Sequence, residues 1–178
     1  MGSAERGEQY YRSGRVLWVV KSGSRLYGKV LGTYPYSVTV DLKGGKSTCT
    51  CPLGGNCKHV HAVMKAYESG FYFEDPSPLL EVNAEAVAWS LLLEVPELAL
   101  EVSLKELMNS LGRDESGSET AVHLLRALKL VEITGKFEFL HPIEAAFEEF
   151  RAVFGDYPLT SVLEEHLNAL RGQSKKAL

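Results

Sequence analysis

Short runs of β-branched and aromatic residues, broken by glycine, occupy the first part of the chain. Residues 16–20, 26–30 and 36–42 read as strands, with Ser22-Gly23-Ser24 and Gly32-Thr33 as the turns between them. The third run alternates strictly: Tyr36, Val38, Val40 and Leu42 fall on one face and Ser37, Thr39 and Asp41 on the other, the pattern of a half-buried antiparallel strand. After Gly44-Gly45 the period changes. Val60, Val63, Met64 and Tyr67 recur at three- and four-residue intervals and predict a helix over about 57–68, with Gly70 as its C-cap.

Glu74-Asp75-Pro76-Ser77-Pro78 interrupts both periods and predicts a linker over 74–82. Beyond it the pattern is helical. Asn83 is the expected N-cap of a helix over 84–94, and Ser103 with Glu106 forms a capping box ahead of 107–111, closed by Gly112. A second box, Ser116 to Glu119, precedes 120–130, where Val122, Leu124, Leu125 and Leu128 supply an apolar face. Residues 131–139 alternate on either side of Gly135 and read as a β-hairpin. Helix, turn, helix and hairpin is the order of a winged helix, yet 120–130 carries only Arg126 and Lys129 as cations, so a protein-docking winged helix or a plain helical bundle suits this segment better than base readout. Helices over 142–153 and 160–170 follow, the latter ended by Gly172. The expected fold class is α+β: an N-terminal antiparallel sheet with a metal-bound ββα element over 1–73, a linker over 74–82, a mainly helical domain with a winged-helix hairpin over 83–172, and a flexible tail over 173–178.

The chemistry is concentrated in one place. All three cysteines fall in Cys49-Thr50-Cys51-Pro52-Leu53-Gly54-Gly55-Asn56-Cys57, and His59 completes a Cys-x-Cys, Cys-x-His set. Zn²⁺ takes four N or S ligands in a tetrahedron, and a Cys₃His set leaves no position open for water or substrate, so the reading is a structural site. Pro52 and Gly54-Gly55 reverse the chain and return the second pair to the first. Three cysteines cannot pair evenly, and Cys49 and Cys51 stand too close for an ordinary disulfide. A thiol enzyme needs a third group to orient the histidine, and none stands nearby in the sequence. His61 competes with His59, but on a helix the two point about 200° apart. His59 is taken as the ligand, and His61 as a surface residue or one that supports the ligands from behind.

This ligand order, with Pro52 after the second cysteine and the run Cys57-Lys58-His59-Val60-His61-Ala62-Val63, resembles a SWIM zinc finger. Upstream, Arg6-Gly7, Tyr10-Tyr11, Gly14-Arg15-Val16 and Pro35-Tyr36-Ser37-Val38 are similar to the lead-in of bacterial and archaeal SWIM proteins, so the resemblance extends over about the first 72 residues. Five residues separate Cys51 from Cys57, at the short end for the family. The resemblance implies Zn²⁺ as cofactor and contact with DNA or protein partners, as in chromatin-type helicases, transposases and mediators of recombinases. It implies no single reaction.

Charge adds a division. The formal net charge of the 178 residues is −4, but residues 1–72 carry +6 and residues 73–178 carry −10. A basic first part attracts polyanions. Tyr10, Tyr11, Arg12, Arg15, Trp18, Lys21, Arg25, Tyr27 and Lys29 interleave aromatics with cations, as single-strand binders do. Trp18 sits inside an apolar run and suits a core, so Lys58, Arg25, Lys29 and Lys46 are the candidate nucleic-acid contacts. Lys58 is the sharpest, lying between two ligands at a helix N-terminus. No run approaches the ~20 apolar residues of a membrane span, and unpaired thiols suit a reducing, cytoplasmic setting. The expected protein is a non-enzymatic adaptor that contacts nucleic acid, a protein partner or both in DNA recombination, repair or transcription. It has no membrane and no small-molecule substrate. The alternative is a purely protein-protein module.

Overall fold

The computed structural model describes residues 1–155 and 157–177. It has an N-terminal mixed sheet followed by helices, an α+β arrangement, and divides into two compact units, Met1–Leu92 and Leu93–Leu178.

The first unit is built on a five-stranded sheet. β1 (Val16–Ser22), β2 (Arg25–Leu31), β3 (Pro35–Asp41) and β4 (Ser47–Cys49) pair antiparallel in succession, and β5 (Phe73–Glu74) adds in parallel to the free edge of β1, giving the order β4-β3-β2-β1-β5. The alternation of β3 is kept: Val38 and Val40 are buried, Ser37 is exposed. In β1 a register shift between Val16 and Trp18 turns both Val16 and Val19 toward one core, where they meet Leu26, Val30, Val38 and Val40. Trp18 is 3% exposed, a core residue and no platform for bases.

Two helices cover that core. α2 (Lys58–Glu68) buries Val60, Ala62, Val63 and Ala66 and ends in a Schellman motif, with Gly70 at φ +81° while the Phe71 N–H donates to Ala66 O and the Gly70 N–H to Tyr67 O. α1 (Ser3–Arg12) packs along α2. The strand-rich reading of the N-terminal part gave no helix here, and the reason is local: the segment is polar and has a glycine at its middle, which costs a helix about 1 kcal/mol. That glycine is what the packing needs. A Cβ on Gly7 would meet His61 Cβ, the Lys58 carbonyl oxygen and the Ala62 nitrogen, all closer than 3 Å. Gly28 on β2 gives Val63 the same room on the sheet.

The other sheet face receives α3 (Leu80–Leu92), so the segment read as a linker is short and structured. Asp75 N–H donates to Lys21 O, Asp75 and Ser77 turn the chain, and α3 is kinked at Asn83. Asn83 Oδ1 accepts the Ala86 N–H, the N-cap read from the sequence. Residues 83–92 thereby lie with the first unit, and the charge division softens to +2 for residues 1–92 and −6 for residues 93–178.

The second unit consists of α4 (Pro96–Leu111), α5 (Ser118–Thr134), a 3₁₀ turn (Phe137–Phe139), α6 (Leu140–Phe154) and α7 (Thr160–Ala177). Three expectations are corrected. Ser103 and Glu106 do not cap a helix; they are buried in the middle of α4, which starts at Pro96. There is no hairpin over 131–139: α5 continues to Thr134, because Leu124, Ala127, Leu128 and Val131 form one buried helical stripe, and Gly135 at φ +69° then ends it. With the hairpin goes the winged helix. Of the residues read as a tail, 173–177 continue α7, and Leu178 lies outside the described residues. At the α4–α5 turn the cap is Asp114, whose carboxylate accepts the N–H groups of Ser116, Gly117 and Thr120 and the Thr120 hydroxyl. Those donors hold its pKa below the ordinary carboxylate value against the opposing effect of burial.

Candidate metal centre

β3 and β4 bring the first ligand pair to the edge of the sheet. Val38 is paired with Cys49, and the Thr50 N–H donates to Ser37 O, which extends the ladder one step past β4. The chain then reverses: Gly54 N–H donates to Cys51 O, Cys49 N–H to Gly54 O and Asn56 N–H to Ser47 Oγ. Gly54 takes φ +76°, and a Cβ on Gly55 would lie 2.5 Å from Ser47 O, so both glycines of the loop are required, one for its dihedral and one for close approach. Cys57 occupies the N-cap of α2 and His59 its first turn.

Cys49, Cys51, Cys57 and His59 are all buried, and their donor atoms lie within 4.8 Å of one another. None of the cysteines is in a disulfide. His59 Nδ1 is 3.7 Å from Cys49 Sγ and 3.6 Å from Cys57 Sγ. Zinc bond lengths of ~2.3 Å to sulfur and ~2.0 Å to nitrogen in a tetrahedron place such donors about 3.6 Å apart. The Cys51 N–H, 3.5 Å from Cys49 Sγ, is placed to donate to a thiolate. The set fits Zn²⁺ held by three sulfurs and Nδ1, and a metal there supplies folding free energy by joining the sheet edge to α2.

Without metal the four groups are out of balance. Burial pushes the Cys49 thiol up to about 12. Burial acts in the same direction on Cys51, but the N–H groups of Leu53 and Gly54 and the hydrogen bonds from Cys49 and Cys57 outweigh it and hold that thiol below its ordinary value. Burial, then the charge of Lys58, push His59 down to about 4, so the imidazole is neutral at physiological pH, as a ligand must be. His61 is outside the cluster, half-buried with its Cβ over Gly7.

His59 is held from outside by aromatic rings. Tyr36 lies 4.4 Å from it, centroid to centroid, and Tyr10 meets it edge-on at 5.6 Å. Its second nitrogen, Nε2, is buried with no hydrogen-bond partner, facing the space that a Cβ on Gly32 would enter. Metal-bound histidines ordinarily donate from this nitrogen. Beside the ring opens a cavity of about 240 Å³, lined on one side by Cys51, Cys57 and His59 and on the other by Arg6, Tyr10, Tyr36, Leu53 and Lys58.

The candidate cations fall in different places. Lys58 stands at this cavity, its Nζ 4.9 Å from the Tyr10 ring centroid. Lys46 is exposed in the β3–β4 turn. Arg25 and Lys29 are on the opposite face, where α3 supplies Glu81 at 3.3 Å and Glu85 at 2.7 Å. Both are already paired within the unit. Two cations outside the candidate set do gather at the centre: Arg15, whose guanidinium carbon is 4.8 Å from the Tyr10 centroid, and Arg6, on the cavity wall. Among the described residues neither of these, nor Lys58, has a carboxylate partner. The sequence signal for this cluster was the four-residue spacing of Arg6 and Tyr10, legible only once residues 3–12 are known to be a helix; Arg15 joins them from the turn that follows α1.

Residues 36–68 match the family model of the SWIM zinc finger, so the chain contains a SWIM finger over β3, β4, the ligand loop and α2. The chain is also similar to an uncharacterized protein of Methanocaldococcus jannaschii, 41% identical over 80 residues, a stretch that covers 44% of this chain and 35% of that protein. No solved structure matches. No helix among the described residues is long and apolar enough to cross a membrane.

Proposed function

We propose that this protein is a non-enzymatic, zinc-braced adaptor of the cytoplasm whose finger end contacts nucleic acid while its helical unit docks a protein partner, in DNA recombination, repair or transcription. The observation that carries the nucleic-acid half is the set of three cations, Arg6, Arg15 and Lys58, collected around Tyr10 at the metal centre without a carboxylate among them. Cations in a protein of net negative charge are mostly engaged by acids, as Arg25 and Lys29 are here. Three without an acid partner at one spot, Arg15 giving only a hydrogen bond to Leu31 O, favour a polyanion. A closed Cys₃His set argues for structure in place of catalysis, since it leaves no coordination position for substrate.

The test is binding of the zinc-loaded chain to labelled DNA and RNA across a salt series. Affinity falling with salt, at a slope of about 0.7–0.9 per phosphate contact, supports the reading. No binding to either at low salt rejects it and leaves the second reading, a protein-protein module alone. A specific feature favours that second reading: a groove of about 570 Å³ on α4, lined by Val95, Leu98, Leu104 and Phe139 with Glu97, Glu101, Lys105 and Lys136 at its rim.

A further inference from the structure

We infer that the cavity beside the metal centre receives a single unstacked base, so that the nucleic acid this finger takes is single-stranded. The inference rests on the nucleic-acid reading above and specifies its ligand. Three observations converge on it. The walls combine the two elements that single-strand sites use: aromatic rings, Tyr10 and Tyr36, and cations, Arg6 and Lys58. A flat phosphate-tracking surface needs the second and not the first. The volume, about 240 Å³, lies below the roughly 300–1,000 Å³ that encloses a whole drug-sized ligand and suits one ring system entering from a backbone that stays outside. The floor includes His59, 4% exposed and held against Tyr36 and Tyr10, so ring surfaces continue from wall to floor.

Charge agrees with this placement. Three thiolates with Zn²⁺ sum to −1, and Arg6 and Lys58 on the cavity wall, with Arg15 over the Tyr10 ring, exceed it, so the wall attracts phosphate. Leu53, 71% exposed at the cavity lip on the ligand loop, offers an apolar edge that a base would cover. In a duplex the bases are stacked and paired, and none enters such a cavity without being turned out of the helix.

The experiment uses the zinc-loaded full chain and four probes of equal length at one salt concentration: oligo-dT, oligo-rU, a mixed-sequence duplex, and an abasic strand that keeps every phosphate and has no base. The inference expects oligo-dT and oligo-rU each to bind roughly tenfold or more tighter than duplex and abasic strand, whose charges are the same or greater. Preference between dT and rU assigns the sugar. Tyr10→Leu should lower single-strand affinity about fivefold or more and bring it to the level of the abasic probe, while Tyr10→Phe keeps it. Arg6→Gln, on an exposed side chain, should weaken all four probes by a similar factor and serves as the control should Tyr10→Leu lose zinc. Equal binding of strand, duplex and abasic probe overturns the inference and leaves the nucleic-acid reading standing. Absence of binding to every probe overturns both.

Discussion

The two units solve the same problem by different means. Each buries polar side chains where two elements must be locked together. In the first, the buried set is Cys49, Cys51, Cys57 and His59, which satisfy one another poorly without a metal. In the second, two hydrogen-bonded groups span the α4–α5 turn: Thr120 Oγ1 lies 3.1 Å from Ser110 Oγ and 2.9 Å from an Asp114 oxygen, and Arg113 forks onto Glu119. Beside it His123 Nδ1 lies 3.3 Å from Glu106. The lesson is that the first unit's fold is conditional on a ligand and the second's is not.

Removal of zinc is the strongest way to sharpen that contrast. Chelation, or Cys51→Ala, should unfold the first unit and leave the helices of residues 93–178 formed, since a structural zinc site is worth on the order of 10 kcal/mol or more. Limited proteolysis with far-UV circular dichroism reads this directly. Loss of α4–α7 together with the finger would break the comparison.

Gly7→Ala is next. It forces a methyl into the contact between α1 and α2, where His61 and the α2 backbone stand, and overpacking of this kind costs about 1–3 kcal/mol. The melting temperature of the zinc-loaded first unit should fall while zinc stoichiometry stays at one. In the second unit Asp114→Ala removes the cap of α5, at a cost of about 1–2 kcal/mol, and should leave zinc affinity unchanged.

Acid separates the two units in a different way. Metal-free His59 titrates at about 4 in the folded chain against an ordinary 6.5, so the unfolded chain takes up the proton first. Unfolding with loss of zinc therefore takes up a proton at His59, so its contribution to the zinc-loaded first unit is whole above pH 6.5 and is lost progressively as pH falls toward 4. Asp114 and Glu119 are held below their ordinary values of 3.8 and 4.5, so their contribution is complete above those values and is lost only as pH falls further, through the folded pKa of each. A pH titration of the zinc-loaded chain, followed by circular dichroism and zinc release, should show the first unit failing at the higher pH.

The smallest effect separates the cations. Lys29→Gln should cost about 1 kcal/mol or less, as for any ion pair with one exposed partner, and should leave nucleic-acid affinity untouched, whereas Lys58→Gln should reduce the salt slope by about one contact.

The metal site was legible in the chain because zinc chemistry restricts both residue type and spacing, and because the strand before it alternates so clearly that Cys49 and Cys51 had to fall at a strand end. What the order of residues could not show was tertiary. Glu81 and Glu85 stand 56 positions from Arg25 and Lys29, and nothing local announces that they will neutralise those two cations. Residues 131–139 alternate well enough for a hairpin, but Leu130 and Val131 also complete a buried helical stripe begun at Leu124, and the helix wins because it can bury that stripe against its neighbours without an exposed strand edge. The helix at residues 3–12 was hidden by Gly7, whose value lies entirely in what it approaches.

That approach also dictates an order of events in time. A ten-residue helix does not persist alone in water, and α1 leaves the ribosome some 45 residues ahead of the α2 surface on which it rests. α1 is therefore made well before the surface it needs, and it settles on α2 only once the thiols between them have found their metal.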